Sequence, residues 1–118
     1  MTYLERERLA WAAGFFEGEG SCCINQERPG QKRFSPRLTI QQMSPEVLVW
    51  FQQCVGGLGV VTGPHSRNRN REKQFWQFNA RGWREVQAIV AMLWGFLGEV
   101  KKNQIKETYR EVSRRIAA

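Results

Sequence analysis

The sequence has few of the residues that build disulfide-linked or zinc-binding proteins. Its 118 residues include three cysteines, Cys22, Cys23 and Cys54, and one histidine, His65. An odd number of cysteines without a CxxC spacing supports neither a disulfide framework nor a zinc site. We therefore expect the cysteines to be small, buried apolar residues.

Long apolar runs are also missing. The longest falls far short of the roughly 20 residues that a membrane-spanning helix needs, and the first residues do not resemble a signal peptide. These absences predict an intracellular protein with no membrane partner, and they do not decide between an organellar, a bacterial and a phage origin. The chain is 42% apolar and long enough for one compact domain but not for two, so we expect a single domain over residues 1–118.

What the sequence does contain is positive charge. Lysine and arginine number 18 against 11 aspartates and glutamates, which gives a net charge of +7 and a pI near 9.9. This balance is typical of a protein that faces a polyanion. Nucleic acid is the first candidate partner, and an acidic membrane surface is the second.

The first segment of the chain predicts a helix. Thr2 and Glu5 have the spacing of a capping box, so the helix should run from about Tyr3 to Glu17, where glycine ends it. The other reading of its end is a solvated Gly-Glu-Gly turn.

Small residues form a stripe along this helix. Ala10, Gly14 and Gly18 recur at a spacing of four, which allows another backbone to approach closely and predicts a partner helix. Glu17 and Glu19 lie at the C-terminus of the helix, beside free backbone carbonyls and the negative end of the dipole. That combination favours a hard divalent cation bound by oxygen atoms.

The nine residues from Ala12 to Gly20 read AAGFFEGEG and resemble the LAGLIDADG signature position by position. Each departure keeps the character of its site: small for small, apolar for apolar, acidic for acidic. The family that this stretch resembles is the LAGLIDADG homing endonucleases, and the stretch occurs once in this chain.

The resemblance implies a homodimer in which two signature helices pack at a two-fold axis. It also implies that the second acid of each helix binds Mg²⁺ beside the scissile phosphates, at a site that Mn²⁺ or Ca²⁺ can also occupy. By this carry-over Glu19 is catalytic and, together with Gly18, forms the metal site. The dimer interface would contain Ala10, Ala13, Gly14, Glu17 and Gly18.

The rest of the chain predicts two β-hairpins and three further helices. The predicted segments are strand Ser21–Gln26, a turn at Arg28–Gln31, strand Arg33–Gln42, a helix starting at Ser44-Pro45 and ended by Gly56-Gly57, strands Leu58–Gly63 and Arg71–Ala80 joined by Pro64–Asn70, helix Trp83–Phe96 and a last helix from Lys101. In the last helix Ile105, Tyr109, Val112 and Ile116 form an apolar seam.

The order α-β-β-α-β-β-α-α predicts an α+β fold with helices on an antiparallel sheet. This order also resembles the LAGLIDADG core domain from end to end.

The two hairpins predict one apolar and one polar sheet face. Phe34, Pro36, Leu38 and Ile40 alternate with polar and basic residues, and Pro36 indicates a sheet edge or bulge. In the fourth strand we assign the side with Trp76 and Phe78 to the core. Phe75 would then pack under the loop or touch DNA.

The polar faces predict a surface that reads DNA in the major groove, where arginine recognises guanine and glutamine or asparagine recognises adenine. The other reading of the run Arg67–Arg71 is a solvated loop. The residues that we assign to DNA binding are Asn25, Arg33, Ser35, Arg37, Thr39, Gln41, Arg67, Arg69, Arg71, Lys73, Phe75 and Gln77.

Two further catalytic residues are implied by the resemblance. Gln42 corresponds to a polar residue that positions water, with Gln41 as the alternative, and Lys101 corresponds to a lysine near the attacking water, with Lys102 as the alternative. Without the resemblance, we would interpret both lysines as solvent-exposed residues at the start of a helix.

Together these features imply a metal-dependent endodeoxyribonuclease that hydrolyses both strands of a long, nearly palindromic double-stranded DNA target. One alternative is a catalytically inactive, maturase-like or regulatory relative that only binds nucleic acid. Another is a small basic protein that binds a protein partner through the small-residue helix.

Overall fold

The elements of the structure follow the order predicted from the sequence. The computed structural model describes residues 1–26, 33–66 and 73–117. Within them the chain forms α1 (Tyr3–Glu19), β1 (Gly20–Gln26), β2 (Phe34–Gln42), α2 (Pro45–Cys54), β3 (Val60–Ser66), β4 (Gln74–Arg81), α3 (Trp83–Leu93), a short 3-10 helix (Trp94–Phe96) and α4 (Glu99–Ala117). The turn predicted at Arg28–Gln31 lies outside the described residues.

The four strands form one antiparallel sheet in the order β1-β2-β4-β3. Leu38 in β2 lies between Cys22 of β1 and Ala80 of β4, so these side chains share one face. Residues from all four α-helices join the same buried cluster as this face. The predicted α+β architecture is therefore confirmed.

The centre of the core is aromatic. Phe51 of α2 and Phe78 of β4 are both fully buried and meet edge to face, with ring centroids 5.0 Å apart. Trp76 is partly buried against the same cluster, which confirms the side of β4 that was assigned to the core. Cys22 and Cys54 are buried as expected, whereas Cys23 is half-buried. Burial raises the pKa of the Cys22 thiol to about 11, so this side chain is a poor nucleophile.

The sheet edge predicted at Pro36 is present only locally: β2 lies between β1 and β4, but its pairing with β4 begins at Arg37. Proline is tolerated there because β4 ends beside it: the carbonyl oxygen of Pro36 accepts from the N–H of Gly82, the residue after Arg81. A residue's N–H and C=O point to the same side of a strand. The missing donor of Pro36 therefore falls where the β4 ladder has already ended.

Several element boundaries also differ from the prediction. Helix α1 continues two residues past Glu17, and β3 continues through Pro64 to Ser66 because a register shift between Thr62 and His65 accommodates the proline. Ile116 is 55% exposed, so the apolar seam of α4 ends at Val112. No helix in the described ranges is long and apolar enough to cross a membrane.

Candidate active site and nucleic-acid interface

Glu19 lies where α1 passes directly into β1. The capping box predicted at the other end of α1 is present, with Glu5 N–H donating to Thr2 Oγ1 and Thr2 N–H donating to Glu5. At the C-terminal end Gly20 is extended, and its N–H donates to the carbonyl of Phe16. A Cβ atom at Gly20 would lie 2.2 Å from the Phe16 ring, so glycine is required for this sharp junction. The junction holds the Glu19 side chain at the surface.

Gln42 contacts the Glu19 carboxylate directly. Its Nε2 donates to Glu19 Oε2 at 3.2 Å. Gln42 is half-buried on the helix-facing side of β2, whereas Gln41 is exposed on the opposite side because side chains alternate along a strand. The structure therefore places Gln42, and not Gln41, against the acid, while the catalytic role of Gln42 stays a prediction.

Lys101 reaches the residue that follows Glu19. Its Nζ donates to the carbonyl oxygen of Gly20 at 2.7 Å and lies 5.5 Å from the centre of the Phe16 ring. Lys102 instead lies over the ring of Trp94, at 5.3 Å. Lys101 is thus the lysine at the α1–β1 junction, where Gln42 contacts the Glu19 side chain and Lys101 contacts the backbone of the residue after it.

The same face of α4 also binds the outer edge of β1. Gln104 Oε1 accepts from the Cys22 N–H at 3.2 Å, and the Thr108 hydroxyl, which has one proton, lies 3.3 Å from the Cys22 carbonyl oxygen and 2.9 Å from the carbonyl oxygen of Gln104. Lys101, Gln104 and Thr108 have the spacing of one helix face. Their three contacts satisfy backbone groups on an edge strand and set the distance between α4 and the end of α1. The sequence reasoning missed Gln104 and Thr108, although their spacing from Lys101 was visible.

We expect Gln104→Leu to lower the free energy of unfolding by about 1 kcal/mol, because it leaves the buried Cys22 N–H without its acceptor. Gln104→Glu keeps an acceptor oxygen in the same place, so its free energy of unfolding should fall much less. Urea denaturation of the two variants and the wild type measures the difference. Equal losses in both variants would show that the hydrogen bond does not stabilise the protein.

The donors around Glu19 suit a hard divalent cation that binds together with a phosphate. The described ranges contain no group of three or more His, Cys, Asp or Glu side chains that would form a preformed metal cage. Mg²⁺ commonly binds through one or two carboxylates and substrate phosphates while keeping several waters. Glu19 supplies such a carboxylate, and the last carbonyls of a helix, Gly18 included, have no intrahelical donor. The residues present therefore fit Mg²⁺.

Glu17 has a different position from Glu19. Its Oε1 accepts from the Gly98 N–H at 2.5 Å, which ties α1 to the residue before α4. The side chain is half-buried. This contact within the chain accounts for one of the two acids of the motif and leaves Glu19 as the acid beside Gln42.

Most of the predicted DNA-binding residues lie together on the face of the sheet opposite the helices. Cross-strand partners on it include Asn25 with Ser35 and Gln41 with Gln77, and Gln77 Nε2 donates to Thr39 Oγ1 at 2.9 Å. The predicted strand residues on this open face are Asn25, Ser35, Arg37, Thr39, Gln41, Phe75 and Gln77. Arg33 and Lys73 are exposed immediately before β2 and β4. Arg67, Arg69 and Arg71 lie outside the described residues.

Phe75 lies on the open face beside His65, with ring centroids 5.3 Å apart, and lines a shallow groove with Glu19 and Gln41. The sequence reasoning missed other open-face residues, namely Thr62, His65, Asn79 and Arg81. The alternation of Gln77 with Asn79 and Arg81 would have indicated two of them. Arg81 was overlooked because the strand was predicted to end at Ala80.

The small-residue stripe of α1 is exposed in the protomer. Ala10, Gly14 and Gly18 are exposed, and a Cβ atom at either glycine would meet nothing within 4 Å. The assignment of Ala13 to this interface is wrong, because Ala13 is fully buried in the protomer's own core. It lies on the face of the helix that carries Leu9 and Phe16, which points towards the sheet.

The four-helix, four-strand arrangement, with an acid at the end of the first helix and an open polar sheet, is the fold of the LAGLIDADG homing endonucleases. No protein-family model and no curated protein matches the sequence. Solved structures of this class match it over most of its length, and the resemblance inferred from Ala12–Gly20 is confirmed at the level of the fold.

Three solved structures illustrate the match. The homing endonuclease I-CvuI, in complex with its target in the presence of Ca²⁺, gives a TM-score of 0.72 at 21% identity, covering 95% of this chain and 69% of that one. The group I intron-encoded homing endonuclease I-CeuI, complexed with DNA, gives 0.69 at 14% identity, covering 96% of this chain and 57% of that one. The LAGLIDADG homing endonuclease I-GzeII, in complex with a DNA target, gives 0.67 at 17% identity over 89% of this chain and 35% of that one.

Proposed function

We propose that the chain is a homodimeric LAGLIDADG homing endonuclease that hydrolyses both strands of a long, nearly palindromic double-stranded DNA site with a divalent metal. The observation that carries the proposal is the α1–β1 junction, where Gln42 contacts the Glu19 carboxylate and Lys101 contacts the backbone carbonyl of the next residue, Gly20. The exposed stripe on α1 would contact the second protomer. The basic open face of the sheet would contact the DNA. The matched endonucleases bound to DNA support the same assignment.

Each residue at the junction has a role that its chemistry permits. Glu19 would hold Mg²⁺, and Mn²⁺ or Ca²⁺ as substitutes; when bound, the metal supplies charge that stabilises the attacking and leaving oxygens of a phosphodiester. Gln42 holds the Glu19 carboxylate in place and has a second amide hydrogen for a water molecule. Lys101 uses one of three donors on Gly20, so another can stabilise negative charge that develops on the phosphate.

The open face suits a polyanion. Its described strand residues include Arg37 and Arg81 and contain no aspartate or glutamate. A dimer would present two such faces related by a two-fold axis, which explains why the expected target is nearly palindromic. Because each protomer adds phosphate contacts, we expect the affinity to fall steeply with salt.

The test is selection of cleaved sites from a randomised double-stranded DNA library in Mg²⁺. We expect one family of nearly palindromic sites from the wild type and none from a Glu19→Gln control. A wild type that selects a site by binding but never cuts it in Mg²⁺ or Mn²⁺ would overturn the nuclease and support the alternative, a relative that only binds nucleic acid. Failure to select any site would overturn both.

We expect Lys101 to serve one active site, because it binds the backbone of its own protomer at Gly20. A heterodimer of wild type and Lys101→Met should therefore nick one strand preferentially, with the affected strand cut on the order of 100-fold more slowly, as for loss of one group that stabilises charge. The measurement is conversion of supercoiled plasmid to open-circle and linear product by differently tagged protomers.

The matched control is Lys106→Met, which removes an exposed lysine from the next turn of α4. It should cut both strands at the wild-type rate. Equal double-strand cutting by the Lys101 heterodimer would remove Lys101 from the mechanism, and Lys102 would be tested next.

A further inference from the structure

Two hydrogen bonds join the end of α1 to the start of α4. The Gly98 N–H donates to Glu17 Oε1 at 2.5 Å, and Lys101 Nζ donates to the Gly20 carbonyl oxygen at 2.7 Å. The two acceptors are three residues apart in the chain, and so are the two donors. The contacts therefore close a ring between the two segments, and the position of Lys101 depends on where α4 begins.

Gly98 is the N-cap of α4. Its carbonyl oxygen accepts from the N–H of Lys102 at 3.0 Å, and the helix itself begins at Glu99. Glycine has no side chain that could accept from the free N–H groups of the first turn. The N–H of the N-cap residue also needs an acceptor. In a capping box, a glutamate or glutamine at the third helical position supplies it.

Lys101 occupies that third position of α4 and cannot supply an acceptor, because an ammonium group only donates. Glu17 supplies the oxygen atom from the end of α1 instead. Its negative charge also lies at the positive end of the α4 dipole, which is favourable. The chain thus caps α4 with a residue of another helix, and Lys101 remains available to bind Gly20.

The approach of Gly98 to Glu17 leaves no room for a side chain. A Cβ atom at Gly98 would lie 2.5 Å from Glu17 Oε1 and 3.5 Å from Glu17 Cδ. The obstructing atoms belong to the far end of the Glu17 side chain, so alanine at this position would displace the carboxylate rather than the backbone. The contact can therefore be broken from either partner.

We propose that Glu17 is a positioning residue for Lys101. By capping α4 at Gly98 it fixes the first helical turn, and with it the place of the Lys101 ammonium group at the α1–β1 junction. The two acids of the motif then have separate tasks, Glu19 at the metal and Glu17 at the lysine. This inference rests on the proposed function, because Glu17 acts through a lysine that takes part in hydrolysis.

The first experiment compares two substitutions of Glu17 in single-turnover cleavage of a selected DNA site in Mg²⁺. Glu17→Gln keeps an oxygen that accepts from Gly98 and should keep the rate within about threefold of the wild type. Glu17→Met keeps the length of the side chain but loses the acceptor. Its rate should fall by roughly 10-fold to 100-fold, as for a catalytic group displaced by about 1 Å. Gly98→Ala should behave like Glu17→Met, and binding of the site in Ca²⁺ should change little in all three.

A double-mutant cycle with Lys101→Met separates positioning from a general loss of stability. In the Lys101→Met background, Glu17→Met should lower the rate by less than about twofold more, because no ammonium group is left to position. The matched control is Glu99→Met, which removes an exposed acid from the first turn of α4. It should cleave at the wild-type rate in either background.

Hydrogen exchange of the Lys102 amide tests the cap without DNA. This amide donates to Gly98, so its exchange rate reports opening of the first turn of α4. Glu17→Met and Gly98→Ala should speed the exchange by roughly fivefold, as expected for the loss of a helix cap. Glu17→Gln should exchange like the wild type.

Four results would contradict the inference. Glu17→Gln as slow as Glu17→Met would show that Glu17 acts through its charge, as a metal ligand does. Additive losses in the double-mutant cycle would show that Glu17 acts independently of Lys101. A Glu17→Met protein that regains the wild-type rate at higher protein concentration would have a weakened dimer instead. Each of these overturns the inference alone, whereas a wild type that cleaves no DNA overturns the proposed function with it, whatever the exchange of the Lys102 amide.

Discussion

Replacing Glu19 with glutamine is expected to abolish DNA cleavage and to leave DNA binding within a few-fold of the wild type. Glutamine keeps the size of the side chain but removes the charge that holds a hard divalent cation. A bound metal contributes several kcal/mol of charge stabilisation to hydrolysis, and each 1.36 kcal/mol is tenfold in rate, so the fall should be about 1000-fold or more. Single-turnover cleavage of a selected site and its equilibrium binding in Ca²⁺ measure the two effects separately.

The matched control for this variant is Glu7→Gln, which removes an exposed acid from the other half of the same helix. It changes the net charge by the same amount and should cleave at the wild-type rate. Full cleavage by Glu19→Gln would remove Glu19 from the metal site. A matching loss of DNA affinity would instead indicate that the acid is needed to form the complex.

Replacing Gly14 with leucine is expected to prevent dimerisation without harming the protomer. A Cβ atom at Gly14 meets nothing within 4 Å inside the chain, and leucine is the better helix former by roughly 0.5 to 1 kcal/mol. At a two-fold axis the extra side chain would be present twice, and overpacking typically costs about 1 to 3 kcal/mol each time. The dimer should therefore weaken by roughly 30-fold to 20,000-fold, as followed by light scattering or sedimentation against concentration.

The smaller substitution Gly14→Ala distinguishes an exposed stripe from a helix interface, because the two cases predict opposite effects on stability. If nothing packs on the stripe, Gly14→Ala should stabilise the protein by about 0.8 to 1 kcal/mol, the helix-propensity difference alone. If a partner helix packs there, the same substitution should weaken the dimer. A wild type that stays monomeric at micromolar concentration with its DNA site present would contradict the interface, because one motif per chain then covers only half a site.

The sequence pattern predicted the structure well wherever a feature depends only on residues of its own segment. The capping box at Thr2 and the alternation along β2 appear in the structure as the residue types predict, and a glycine ends α1, although at Gly20 rather than directly after Glu17. These features depend on neighbours within a few residues, such as Phe16, whose ring excludes any side chain at Gly20. Near-neighbour chemistry of this kind can be read directly from a sequence.

Choices between adjacent residues needed the assembled fold. The sequence left open Gln41 or Gln42 and Lys101 or Lys102, and in each pair the structure brings one residue to the α1–β1 junction. Adjacent residues on a strand differ by half a turn, and those on a helix by about 100°. Which of them faces Glu19 therefore depends on how β2 and α4 are rotated against α1, and that rotation is set by packing far along the chain.

The element order, the α+β class, the basic balance and the acid at the end of a small-residue helix follow from composition and periodicity, which are properties of the chain alone. The assembled fold was needed to show that Pro36 lies in a central strand, that Ala13 faces the core and that Glu17 binds Gly98. It also decided that Arg81 lies opposite Arg37. Each of these depends on pairing or packing between residues that are distant in sequence. The position of a side chain is then set by the space that another segment leaves for it.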